Sequence, residues 1–86
     1  MSAEKRLCDL MPAESAIVKR LDTPDQMRRR FLDIGLIEGT RVVCVGRSPA
    51  GDPSAYLIRG AVIAIRRHDA ATVAVCAPSA ERSTWD

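Results

Sequence analysis

Residues 40–67 read TRVVCVGRSPAGDPSAYLIRGAVIAIRR, and this stretch decides the fold. Three runs rich in Val, Ile and Leu are cut by two turn signals. Ser48-Pro49-Ala50-Gly51-Asp52-Pro53 is a loop by composition, and Arg59-Gly60 reads as the turn of a hairpin. The expected strands are about Thr40–Arg47, Ala55–Ile58 and Ala61–Arg67. β-Branched side chains suit the pleated surface of a strand, which favours this reading over a helical one.

Downstream, His68-Asp69-Ala70-Ala71 reads as a short connector and Thr72–Cys76 as a last strand. Residues 77–86 are polar, carry Pro78, and are expected to form a flexible tail. Upstream, Ile37-Glu38-Gly39-Thr40 looks like a tight turn, because Gly accepts the positive φ that a type II turn needs.

The one convincing helix precedes that turn, at about residues 24–34. Thr23 is a good N-cap, Pro24 suits the first helical position, and Gln26 completes a capping-box pattern. Met27, Phe31 and Ile34 fall on one apolar stripe, and Gly35 stops the helix as a C′ glycine. Arg29 and Asp33, four apart, are expected to pair on the exposed side. Leu32 lies off the stripe, so it either widens the buried face or awaits a partner. A first strand is expected at Ser15–Leu21, after an N-terminal arm at 1–13 gripped by Leu7, Leu10 and Met11. Five short strands with one inserted helix predict a mainly β domain, a small barrel over residues 1–76.

Composition agrees. Among 86 residues, Phe31, Tyr56 and Trp85 are the whole aromatic set, so the core must be aliphatic. The net charge of +2 is far from that of a typical nucleic-acid binder. No apolar run approaches the roughly 20 residues that span a bilayer, and none near the N-terminus resembles a secretory signal. A cytoplasmic protein without direct membrane insertion is expected. Cys8, Cys44 and Cys76 are odd in number and widely spaced, with no C-x-x-C pair, which points to reduced thiols instead of disulfides or a metal site.

Catalytic constellations are missing as well. His68, the single histidine, sits in a polar turn, and most carboxylates fall at turns and helix ends, where capping explains them. Gly35 and Gly39 form no phosphate-binding pattern. Arg28-Arg29-Arg30 spray across a wide helical arc, and no strand aromatics are present to stack bases or to grip a Pro-rich ligand. No catalytic residue, cofactor, metal site or nucleic-acid partner is therefore expected. A binding module remains. The strands around Val42–Val45, Leu57-Ile58, Val62-Ile63 and Val73–Val75 do not alternate cleanly, so either the arm and the helix cover all of this aliphatic surface or some of it stays open for a partner.

Arg29–Val42, RRFLDIGLIEGTRV, resembles the signature of the FeoA family, ferrous iron transport protein A. Ser48–Pro53, Tyr56–Gly60, Ile63–Arg67 and the opening Leu7-Cys8-Asp9-Leu10 resemble it too, in order and spacing. The resemblance covers about residues 7–76. It implies an SH3-like five-stranded barrel with a helix after the first strand, and a non-enzymatic cytosolic accessory of ferrous iron uptake. The implied partner is a membrane Fe²⁺ permease with a cytosolic GTP-binding domain (FeoB type), which would hold the protein at the inner face of the membrane. Ala13 stands where relatives often have Gly, Glu38 where Pro is frequent, and His68-Asp69 replaces a commonly acidic stretch. The two turn changes are expected to alter local stiffness only. The alternative is a stand-alone regulatory module like the C-terminal domain of metal-dependent repressors. The expected partner patch combines Leu32, Leu36 and Ile37 with the hairpin residues Tyr56, Ile58, Val62 and Ile63, rimmed by Arg30. Homo-oligomer formation is left open.

Overall fold

The computed structural model describes residues 4–78. The expected tail from 79 onward and the first three residues of the arm lie outside the described residues. Five antiparallel strands form one sheet: β1 (Ser15–Leu21), β2 (Arg41–Arg47), β3 (Ser54–Ile58), β4 (Ala61–Ile65) and β5 (Val73–Cys76). Their spatial order is β4-β3-β2-β1-β5. Helix α1 (Asp25–Asp33) joins β1 to β2, and a short helix α2 (Arg67–Ala70) joins β4 to β5. Register shifts between Val18 and Arg20 and between Cys44 and Gly46 are bulges that bend the sheet over its own core.

Strand alternation sorts the side chains. Ala16 and Val18 of β1, Val42 and Cys44 of β2, Tyr56 and Ile58 of β3 and Ile65 of β4 are all buried, and Phe31 of α1 and Leu36 join them. The arm supplies Leu7 and Leu10, both fully buried. The single buried aromatic hydroxyl is satisfied: Tyr56 Oη donates to the Leu7 carbonyl at 3.3 Å.

The stop of α1 matches the sequence. Gly35 takes φ +89°, Leu36 N–H donates to the Phe31 carbonyl at 2.9 Å, and Gly35 N–H donates to Leu32 at 3.0 Å. This is a Schellman motif, and it swings Leu36 into the core. Its start does not match. The helix begins one residue late, at Asp25, with Pro24 as a cap that has no side-chain hydrogen bond. The buried Thr23 points elsewhere, because its hydroxyl meets Thr72 Oγ1 at 2.8 Å. Thr72 Oγ1 donates its one proton to the Asp69 carbonyl at 2.7 Å, so Thr23 is the donor of the pair.

Three other expectations change. Residues 67–70 are helical instead of a plain connector, and β4 ends at Ile65, because Asp52 Oδ1 takes the Arg67 N–H at 2.7 Å and turns the chain. Arg29 and Asp33 are not among the ion pairs of the described residues, all of which lie on the arm, on β1 or on the residues that flank β1. Ala13, expected to affect stiffness alone, occupies φ +76°, a left-handed conformation in which a Cβ is strained.

Candidate partner-binding surface

The β3–β4 hairpin carries the site. Arg59 and Gly60 have φ of +51° and +87°, as a type I′ turn requires. The register pairs Ile58 with Ala61, Tyr56 with Ile63 and Leu57 with Val62. Period-two alternation then turns Leu57 and Val62 to the outer face, where they continue a row from Val43 of β2. Val62 is 63% exposed, the most open large apolar side chain among the described residues.

α1 lies alongside β4, leaving a groove between them. One part, of about 230 Å³, is walled by Met27, Phe31 and Ile34 of the helix and by Ile63 and Ile65 of the strand. It opens into a shallower basin between Leu32, Ile37, Ala61 and Ile63, with Arg59 across it. Leu32, off the core stripe, is 47% exposed and borders this basin.

Of the residues expected in the patch, the structure brings Leu32, Ile37, Ile63 and Arg30 to the groove, with Ile63 half-buried, whereas Val62 faces outward on the other side of the sheet. It corrects three others. Leu36, Tyr56 and Ile58 are buried in the core, Leu36 through the Schellman turn and the other two through the inward phase of β3. Ile58 contributes to the floor of the basin at most. Met27, Ile34, Arg59 and Arg66 line the groove in their place, and Leu57 faces outward beside Val62. For Leu57 the usable signal was alternation with Tyr56 and Ile58, once their inward phase is known.

Charge around the groove is mixed, with arginines outnumbering carboxylates. Arg30 and Arg66 border the deeper part of the groove and Arg59 the basin, and among the described residues none of them makes an ion pair. The stem of Arg59 lies across Gly35: a Cβ there would fall 2.1 Å from Arg59 Cδ. Asp33 and Asp69 are the acidic residues of the walls.

The described residues offer little chemistry beyond binding. No group of three or more His, Cys, Asp or Glu side chains among them converges as a metal site. Cys44 is buried, Cys8 half-buried with its thiol pushed up by burial and by Asp9, and Cys76 exposed, all free. Burial likewise raises the Tyr56 phenol, which keeps it neutral. His68 is exposed. Among the described residues no helix is long and apolar enough to cross a membrane.

Comparison with known proteins follows this geometry. The family model described as the FeoA domain matches residues 5–76. The chain belongs to the FeoA family. A curated relative from Porphyromonas gingivalis, an Fe(2+) transport protein A/Fe(2+) transporter FeoB fusion protein, is 31% identical over 70 residues. The match covers 81% of this chain and 8% of the relative, so the chain spans a small part of that protein's length. The solution structure of FeoA from Chlorobium tepidum superposes with a TM-score of 0.81 at 25% identity, covering 95% of this chain and 81% of that one. FeoA from Stenotrophomonas maltophilia complexed with zinc, described as an SH3 domain protein, gives 0.74 at 27% identity, covering 83% and 88%. The fold of this family member is thus SH3-like and mainly β, as expected. A manganese-dependent transcriptional repressor matches at 0.77 with 20% identity, covering 91% of this chain and 44% of that one, a likeness of fold alone.

Proposed function

We propose that the chain is a non-enzymatic accessory of ferrous iron uptake that docks on a membrane Fe²⁺ permease carrying a cytosolic GTP-binding domain, of FeoB type. The supporting observation is the open apolar groove beside β4, bordered by Leu32, Ile37 and Ile63 and rimmed by arginines without partners among the described residues. In the P. gingivalis relative the two proteins are one chain. Covalent linkage supplies a high effective concentration, which a separate chain must replace with a surface of its own. An apolar centre with a charged rim is the anatomy of such a surface. The protein then sits at the inner face of the membrane through its partner. Its role is to modulate the permease, with no catalytic group of its own.

The test is capture of the detergent-solubilised permease by the full chain. Leu32→Glu, at an exposed position, is expected to leave the fold intact and to weaken capture at least tenfold, since charge at the centre of an interface costs about 1.4 kcal/mol or more. Unchanged capture overturns the assignment of this face. The purified chain is expected neither to hydrolyse GTP nor to bind Fe²⁺ stoichiometrically at sub-micromolar concentration. Calorimetry showing such binding would contradict the accessory reading.

A further inference from the structure

We infer that the free edge of β4 is a strand-addition site, which takes up, as a sixth strand, an extended polypeptide segment whose alternating apolar residues are flanked by acidic ones. The inference rests on the docking reading above and states how the partner is held.

The hydrogen-bond phase of the hairpin supplies the first argument. In a two-residue hairpin the closing pair, Ile58 and Ala61, exchanges both hydrogen bonds, and bonded pairs then recur at every second residue. Tyr56–Ile63 and Ser54–Ile65 are therefore the other bonded pairs. The N–H and C=O groups of Val62 and Ala64 turn the opposite way, to the side where β4, last in the sheet order, has no neighbour among the described residues. Both residues are exposed. The opposite sheet edge is different: the arm lies along β5, with Arg6 bridging Ala74 and Val75 N–H donating to the Lys5 carbonyl at 2.9 Å. Ala61-Val62-Ile63-Ala64-Ile65 also contains no proline and no charge, the usual guards of an unpaired edge.

Shape supplies the second. A strand bonded to Val62 and Ala64 sends the side chain opposite Ile63 to the inner side, into the space of about 230 Å³ between Met27, Phe31 and Ile34. An apolar cavity of roughly 150 Å³ already holds a benzene, so one large aliphatic side chain fits.

Charge selects the occupant. Arg59 precedes the strand, Arg66 and Arg67 follow it and Arg30 stands on the helix wall, four cations against the two carboxylates Asp33 and Asp69 of the same walls. A second copy, paired antiparallel about Ile63, would set Val62 against Ala64 with good hydrogen bonds. It would also set Arg59 against Arg67 of the copy at both ends, a like-charge clash. A segment with Glu or Asp at its ends meets the same arginines favourably.

The experiment titrates the full chain with the synthetic peptide EETVTLTVTEE and, as control, KKTVTLTVTKK. Amide exchange is followed by NMR and the oligomeric state by light scattering. The expected result is saturable binding of the acidic peptide, at least tenfold tighter than the basic one, with exchange slowed at least tenfold at Val62 and Ala64 and unchanged at Val75. Ala64→Pro removes an outward N–H while sparing every β3–β4 ladder bond, so it should fold and lose binding at least tenfold. Arg66→Glu offers the same loss without a backbone change. Absence of binding by the unaltered chain, equal binding by both variants, binding without protection at Val62 and Ala64, or dimerisation through these amides would each overturn the inference. Peptide protection without permease capture would fail the docking reading instead.

Discussion

The two edges of the sheet are treated differently. Along β5, residues 5 and 6 cover the edge by backbone pairing, and Leu7 and Leu10 beyond them are sunk in the core. Glu4, Arg6, Lys19, Arg20 and Asp22 then tie the arm to β1 by ion pairs, the shortest from Arg20 Nη2 to Glu4 at 2.6 Å, while Lys5 pairs with Glu14. Along β4 nothing pairs with the backbone among the described residues, a largely apolar groove lies beside it, and the arginines of that groove make no ion pair among those residues. A protein that merely needed to avoid aggregation would guard both edges. Guarding one and leaving the other beside a groove marks the second for a partner.

Substitutions on the covered edge should therefore cost stability and spare binding, and those on the open edge should do the reverse. Leu7→Ala carries the largest expected effect: a fully buried leucine is lost from the arm, for about 2–5 kcal/mol by urea unfolding. A cost under 1 kcal/mol would mean that the arm is ornamental. Ala13→Gly should do the opposite, raising stability by about 1 kcal/mol in the same assay, because it relieves φ +76° where the arm turns into β1.

Acid should loosen the arm without touching the open edge. Hydrogen bonds from Arg20 and Lys19 hold the Glu4 carboxyl at about 2, against an ordinary 4.5. Arg20 and Arg6 hold Asp22 low as well, and Lys5 with the Met11 N–H lowers Glu14. The folded state thus binds fewer protons than the unfolded chain, so the contribution is full above the ordinary carboxylate range and fades as pH falls toward about 2. Protection of the Val75 amide, corrected for intrinsic exchange, should fall over that range. Val62→Thr on the open edge should be the quietest, within about 0.5 kcal/mol, since the side chain faces water until a partner arrives.

The strands, the hairpin and the Gly35 stop were legible because each rests on local rules: branched apolar runs, turn residues, and a glycine where φ is positive. Thr23 was misread because its partner, Thr72, lies 49 residues away, and a buried hydroxyl pair outcompetes a helix cap. The arm's role was invisible for the same reason, since its ion pairs join residues 4–6 to residues 14–22. Ala13's strain could be suspected from the family's preference for Gly, though its sign needed the φ angle. In the site, Leu32 was legible from its position off the helical stripe. Leu36, Tyr56 and Ile58 were not separable from Leu57 and Val62, because continuous apolar runs do not reveal which phase faces inward. The pairing register and the Schellman turn decide that, and both are tertiary facts.

The most direct test of the open-edge account is amide exchange on the full chain with and without the detergent-solubilised FeoB-type permease. The account predicts slowed exchange at Val62 and Ala64 and beside Leu32 and Ile37, with Val75 unchanged. A formed complex that protects other surfaces and leaves Val62 and Ala64 exchanging as in the free chain would contradict it.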